Sequence, residues 1–463
     1  MTGRRGGIRQ GLILSTAFAA MTISSAVLAQ EAKPASIWTQ ETLTGDWDGA
    51  RTNLKEKYGI EVTLNYIGET FGVLSGGLNR GTTYEHRIEL SVDTDLSKYG
   101  WNGASTHFTI YQIANGGRNA LDNVGSIADP SNIDALRTTR LFTAWFQQGS
   151  PDSDPFSIRI GQLAADDEFL TSATASGLIN GTFGWAGIMA ANIASGGPAY
   201  PLATPGVRVQ FRANDNFLIR SAVFAGDPAG RPCNENPQAC NRYGTTFSFD
   251  GGALFITEAQ YAVNQDKKST GLAGAYKLGG WYATANYADQ RFGVNGLGGI
   301  VSLADPTVVG PLNHRGDWGI YGVIDQMLWR NGEKAVSFFL RSGAAPSNRN
   351  LLSWYIDGGI GFKGLVRGRD DDVFTLGAAY AKISGDASGL DRDTLAFNGP
   401  PYPIRNHEFV LEASYIAQIT PWWTIQPDIQ YIVRPGGRVP DPSNPNATVK
   451  NAFLAGLRTT VKF

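Results

Sequence analysis

Glu85-His86-Arg87-Ile88-Glu89-Leu90-Ser91-Val92-Asp93-Thr94-Asp95-Leu96 decides how the rest of the chain is read. Successive side chains of an extended strand point to opposite faces. Ile88, Leu90, Val92 and Leu96 therefore share one face, and Glu85, Arg87, Glu89, Ser91, Asp93 and Asp95 share the other. One face is oily, the other ionic. The scheme recurs along the chain. Ile158 and Ile160 alternate with Ser157, Arg159 and Gly161, and Val207, Val209 and Phe211 with Arg208, Gln210 and Arg212. Phe409, Leu411, Ala413 and Tyr415 oppose Glu408, Glu412 and Ser414, while Ile425, Ile429 and Tyr431 oppose Gln426, Asp428 and Gln430.

Alternation alone also suits a soluble β-sandwich with an apolar inner face, so composition has to choose. Charged residues make up 17% of the chain, against roughly 25% in soluble proteins. Glycine, at 57 of 463 residues, is well above its usual ~7%. Mean hydropathy is nonetheless only -0.18. A chain poor in charge, not hydrophobic overall and without a second long apolar run excludes spanning helices. It fits a sheet with one lipid-facing and one watery face.

Residues 1–29 have the three-part layout of a secretory signal peptide. Arg4, Arg5 and Arg9 are the positive start, residues 12–27 the apolar run, and Val27-Leu28-Ala29 the small residues before cleavage at Gln30. As a membrane anchor the run is too short, being interrupted by Ser15, Thr16, Thr22, Ser24 and Ser25 where a spanning helix needs roughly 20 apolar residues. Residues 30–61 form an N-terminal segment. It contains the one plausible helix of the exported chain, over 46–58, with Leu54 and Tyr58 four apart and Thr44 or Asp46 able to cap it. The barrel then occupies 62–463, its first strand at 62–71.

Three of the 39 basic residues lie in the leader, leaving 36 against 41 acidic ones. This balance suggests no nucleic-acid partner, and the interspersed signs argue against a dedicated anion pore. Cys233 and Cys240 lie in a stretch rich in Pro, Asn and Gly, 231–244. An exported chain favours a loop disulfide there; two free thiols or a metal pair are the weaker readings, with no His nearby. Stretches 115–134, 226–243, 293–317, 385–405 and 435–450 read as loops. Aromatic residues gather near segment ends, as in Trp281-Tyr282, Trp354-Tyr355 and Trp422-Trp423, either as the girdles of a barrel or as buried core. In the last segment Phe453, Ala455, Leu457, Val461 and Phe463 share a face opposite Gly456, Arg458, Thr460 and Lys462. A final strand of this kind, ending in Phe463, resembles the terminal signal that barrel-assembly machinery reads in bacterial outer-membrane proteins.

Four stretches taken together are similar to the carbohydrate-selective porins of the OprB type. They are Leu43-Thr44-Gly45-Asp46-Trp47-Asp48-Gly49-Ala50-Arg51; Gly161-Gln162 followed by Ala165-Asp166-Asp167-Glu168-Phe169; Gln426-Pro427-Asp428-Ile429-Gln430-Tyr431 with Pro435-Gly436-Gly437; and the closing strand 452–463. The resemblance spans the exported chain. It implies an all-β transmembrane antiparallel barrel of about 16 strands, wide enough for a water-filled lumen. It also implies residence in the bacterial outer membrane, a monomeric state and passive uptake of small carbohydrates, with no cofactor. The surface-layer module that many relatives carry at their start is lacking, so no cell-wall anchoring is expected.

Catalysis finds little support. His86, His107, His314 and His407 are scattered without metal-ligand spacing, and there is no nucleophile elbow or phosphate-cradling loop. A sugar pore needs donors and acceptors facing each other, because a hydroxyl is both, and contacts weak enough to release the solute. Alternation nominates Arg87, Glu89, Arg159, Arg208, Arg212, Arg220, Glu258 and Arg341 as lumen-facing. Asp167 and Glu168 open a segment, 164–185, that could dip into the lumen, and Trp145 and Trp185 are candidates for stacking on sugar rings. Arg87 and Glu89, one strand step apart, are the leading pair. Two other readings compete: a non-selective or anion-preferring porin, and a secreted soluble β-protein that binds or hydrolyses carbohydrate with two flanking carboxylates.

Overall fold

The computed structural model describes residues 36–150, 154–266, 268–400 and 402–463. The expected signal peptide, 1–29, lies outside them. Sixteen wall strands, with the short segment Ile300–Ser302 paired onto the ninth, form one antiparallel sheet: β1 (Ile60–Gly77), β2 (Gly81–Asp95), β3 (Ala104–Asn115), β4 (Thr138–Gln148), β5 (Phe156–Leu163), β6 (Thr204–Arg212), β7 (Phe217–Ala225), β8 (Ala253–Val263), β9 (Gly274–Asn295), β10 (Val308–Asn331), β11 (Lys334–Ala344), β12 (Leu352–Lys363), β13 (Val373–Ile383), β14 (His407–Thr420), β15 (Trp423–Val433) and β16 (Lys450–Lys462). β1 pairs with β2 on one side and with β16 on the other, so the sheet closes on itself and has no free edge. Connections alternate between short turns at one rim and long segments at the other.

Register places the two faces as the alternation requires. Glu85, Arg87, Glu89, Ser91 and Asp93 point inward, whereas Phe156, Ile160, Leu278, Ile320, Ile429 and Leu457 stand exposed on the outside, each at least half accessible. In water each large apolar side chain would forgo roughly 1.5–3 kcal/mol of burial; hydrocarbon removes that cost. No helix among the described residues is long and apolar enough to cross a membrane, and the strands do so. Two aromatic girdles bound the oily band. Trp101, Phe156, Phe211, Tyr261 and Tyr276 lie near the short turns, and Tyr84, Tyr282, Trp318, Trp354 and Tyr431 near the long connections, all exposed. Their sequence neighbours Trp281 and Tyr355 point the other way and are buried inside, so the Trp-Tyr doublets divide between girdle and interior.

Four expectations need correction. The helix runs Ala50–Tyr58 rather than 46–58, and Gly49 stands at its start with no side-chain cap. Asp46 instead takes the Thr52 amide (2.9 Å) and hydroxyl (2.8 Å), because Trp47 and Asp48 turn the chain with positive φ before the helix begins. Arg51 reaches from this helix to the oxygens of Val62 (3.0 Å) and Phe463 (2.7 Å), clipping the seam between β1 and β16. The first strand starts at Ile60 and continues to Gly77, beyond 62–71. Much of 293–317 is not loop. β9 and β10 run 22 and 24 residues, where about 9–11 cross a bilayer. Their upper halves rise clear of lipid and need not alternate. In 385–405, Gly385–Asn398 is a helix, capped by the Ser384 hydroxyl on the Ala387 amide (3.1 Å).

Two long connections, 116–137 and 164–203, fold into the barrel. The second packs Leu170, Leu178, Ile179, Phe183, Ile188 and Met189 against inward-facing Trp281, Tyr321, Phe339 and Tyr355. Polar anchors fix it. The Asp325 carboxylate takes the Ser172 hydroxyl (2.6 Å) and Thr174 amide (2.9 Å), and the Glu412 carboxylate takes the amides of Ile179 and Asn180. The first connection is held by Glu408, which accepts the amides of Ile127 and Ala128 (both 2.8 Å) and of Gly436 (2.7 Å). All these anchors sit on β8–β15, so the connection leans on that half of the wall.

Candidate functional site

The remaining half of the interior, beside β2–β7, carries charges that still meet solvent. Antiparallel pairing stacks the inward positions side by side: Glu89 faces Tyr111, His107 faces Trp145, Gln147 faces Arg159, Arg159 faces Arg208, and Gln210 faces Arg220. Gly161, opposite Trp145, has φ +145°, and a Cβ there would lie 2.2 Å from the Ala144 oxygen. Only glycine leaves β5 close enough for the indole to lie over this wall.

Arg87 and Glu89 form an ion pair at 3.1 Å with 14% and 23% of their side chains exposed. The Arg87 guanidinium also lies over the rings of Tyr111 (4.5 Å) and Tyr200 (5.1 Å). Lower on the wall the Arg159 guanidinium lies over Trp145 at 3.7 Å, and the His107 ring stacks on the same indole with centroids 4.9 Å apart. Arg159 and Arg208 are cross-strand neighbours of like charge, an unfavourable pair when isolated. Glu168, from the infolded connection, resolves it. Its carboxylate pairs with Arg208 (2.9 Å) and Arg159 (3.7 Å), and its backbone oxygen accepts from Arg220 (3.3 Å). Burial alone would push the Glu168 carboxyl up, but Arg159, Arg208 and Arg220 outweigh it and hold the group at about 2. Its neighbours behave oppositely. Burial pushes Asp166 up to about 6, and burial together with the adjacent Asp166 holds Asp167 well above the usual carboxylate range.

The twelve residues expected to line the lumen therefore fall into groups. Arg87, Glu89, Trp145, Arg159, Asp167, Glu168 and Arg220 gather on the open side, each partly accessible. Arg208 belongs to the same cluster but is 1% exposed, covered by Glu168, Ser157 (2.8 Å) and Gln147 (2.8 Å). Glu258 and Arg341 point inward yet lie beneath the infolded connection. Glu258 accepts the Leu170 amide (3.0 Å) and Tyr321 hydroxyl (3.1 Å). Arg341 pairs with Asp357 and donates to the oxygens of Leu170 (3.0 Å), Gly184 (3.0 Å) and Thr182 (2.9 Å). Arg212 sits at the short-turn end of β6, two residues past Gln210, outside the cluster. Trp185 is on the connection itself, its indole N–H donating to the Gly196 oxygen (2.9 Å). Cys233 and Cys240 are bonded.

Sequence reasoning missed His107, Tyr111 and Tyr200. The first two alternate with Phe108 and Ile110 on β3 and were open to the same reading as Arg87. Tyr200 lies in an irregular stretch with no periodic signal. The assembled surface offers cations, anions and ring faces within a few ångströms of one another, with no deep single site. That is chemistry for passing hydroxylated solutes with weak, repeated contacts.

Residues 79–463 match the family described as carbohydrate-selective porin, OprB family. The chain is 27% identical to Porin B of Pseudomonas aeruginosa across 96% of both chains. It is 24% identical to the putative porin QuiX of Acinetobacter baylyi, over 95% of this chain and 98% of that one. Among solved structures, the high-pH structure of Pseudomonas putida OprB superposes with a TM-score of 0.79 at 25% identity, covering 92% of this chain and 99% of that one.

Proposed function

Because the chain belongs to the carbohydrate-selective porin family of the OprB type, we propose that small saccharides cross the bacterial outer membrane along the β2–β7 side of its interior. There the contacts are made by Arg87, Glu89, Trp145, Arg159, Asp167, Glu168 and Arg220, with Arg208 supporting Glu168. The porin family and fold point to a channel rather than an enzyme. One observation carries the site assignment: these inward charges keep solvent access, whereas Glu258 and Arg341, equally inward, are sealed by the infolded connection. In this reading the chain is exported with residues 1–29 removed, is inserted through its β16 strand by the barrel-assembly machinery, and works as a monomer.

Replacing both Arg87 and Glu89 by alanine removes one ion pair while keeping net charge. Such channels are expected to assemble normally but to need several-fold more sugar for half-block of the ion current in planar bilayers. Blocking identical to wild type would remove the pair from the site.

A second reading is favoured by one feature. Arg87, Arg159, Arg208 and Arg220 outnumber the anions beside them, Glu89, Glu168 and Asp166, whose carboxyl burial raises to about 6, while burial together with the adjacent Asp166 holds Asp167 well above the usual carboxylate range. The passage therefore favours anions over cations among charged solutes, a preference that reversal potentials measure.

A further inference from the structure

We infer that the long-connection side of the interior holds a second saccharide subsite, beside the charged cluster and sharing only Tyr200 with it, between Trp185, Tyr200 and the disulfide-closed loop. A cavity of about 160 Å³ lies there, lined by Trp185, Ser195, Tyr200, Asn236, Gln238 and small residues such as Ala199. One water needs only ~10–15 Å³ of such space, so the cavity has room for one sugar ring.

Its walls are fixed before any solute arrives. Trp185 is held by its bond to the Gly196 oxygen and by packing on the core. Tyr200 is held at both ends, its hydroxyl donating to the Ile133 oxygen (2.7 Å) and its amide to Asp166 (2.9 Å). Ser195 keeps a left-handed backbone, φ 51°, a conformation that costs a non-glycine residue about 1–3 kcal/mol and persists where its surroundings over-determine it. The opposing wall is the loop closed by Cys233–Cys240. There the Asn236 side-chain oxygen accepts the Gln238 amide (2.9 Å) and the Gln238 side-chain oxygen accepts the Leu136 amide (2.6 Å). Both carboxamides are thereby oriented, and their NH₂ ends make no hydrogen bond to the protein among the described residues.

The chemistry selects the ligand. An aromatic face stacks on the apolar side of a pyranose, and oriented amide N–H groups donate to hydroxyl oxygens. No lining residue of the cavity is ionisable as an acid or base at neutral pH, in contrast to the bore, so the occupant is a neutral saccharide. The pocket would collect it loosely before the charged passage, as successive weak sites do in conduction.

This subsite rests on the proposed saccharide passage, and the test separates the two. Full-length channels in planar bilayers receive glucose on the long-connection side, and wild-type and variant proteins are also assayed for glucose-driven liposome swelling. Trp185→Ala is expected to raise the half-blocking glucose concentration roughly tenfold, as loss of one ring-stacking contact predicts. Trp185→Phe should stay within about twofold of wild type. Gln238→Ala, at the rim, should weaken block about threefold and keeps the test open should Trp185→Ala not fold. Channels that swell liposomes but block identically in wild type, Trp185→Ala and Gln238→Ala overturn the subsite alone. Wild-type channels that never swell liposomes overturn the passage and the subsite together.

Discussion

Arg341→Ala is expected to widen the channel several-fold in conductance, abolish sugar block and lower the temperature at which the barrel unfolds in detergent. Arg341 and Asp357 are both 1% exposed, and Tyr355 donates its hydroxyl to the same carboxylate (2.7 Å). Removing one partner of such a pair strands the other charge and costs about 3–5 kcal/mol. The loss extends further here, because the guanidinium also ties down the backbone oxygens of Leu170, Thr182 and Gly184, two separate turns of the infolded connection. Without it the Leu170 and Gly184 oxygens lose their donor, while Thr182 keeps only the Tyr355 hydroxyl (3.2 Å), and swinging the connection away from the wall is the way to hydrate them. Arg341→Lys should not rescue, since an ammonium cannot reproduce the planar fork of donors. Wild-type conductance and block in Arg341→Ala would mean that Asp325 and Glu412 hold the connection by themselves.

Glu168→Gln is the second large effect. It removes the anion that Arg159, Arg208 and Arg220 share while preserving shape, so the reversal potential in a salt gradient should shift strongly toward anions and sugar block should weaken. The Glu168 carboxyl is depressed to about 2, below the ~4.3 of a free glutamate. A depressed carboxyl stabilises the fold above its unfolded value and loses that contribution as pH falls through the folded one. Glu168 should therefore contribute a constant charge from neutral pH down to about pH 3. Asp166, raised to about 6 by burial, titrates in between, so a step in selectivity near that pH should survive in Glu168→Gln. An unchanged reversal potential in the variant would remove Glu168 from the conducting path.

How far the sequence was legible follows from which forces are local. Period-two alternation assigned the faces of β2, β5, β6, β14, β15 and β16 correctly, because a lipid-crossing strand can change neither its period nor its oily side. Outside the bilayer that constraint lapses. Pro311, Asn313, His314 and Arg315 break the pattern of β10, whose upper part carries register shifts at 308/310, 311/313 and 315/317 and so looked like loop. The helix Gly385–Asn398 was hidden by glycines, of which Gly389 is needed where a Cβ would sit 2.7 Å from Arg291. For the site, Arg87 and Glu89 were readable as a pair, since residues two apart on one strand share a face. Whether an inward side chain meets water or an infolded segment was not readable. Arg159 and Arg341 look alike in alternation, and only the course of residues 164–203 separates them.

Liposome swelling tests the central claim most directly. Purified wild-type protein, reconstituted into liposomes, should admit monosaccharides fast, disaccharides more slowly and larger oligosaccharides least, in the order set by a narrow polar bore. Protein that inserts with its barrel intact yet admits no sugar of any size would contradict the account.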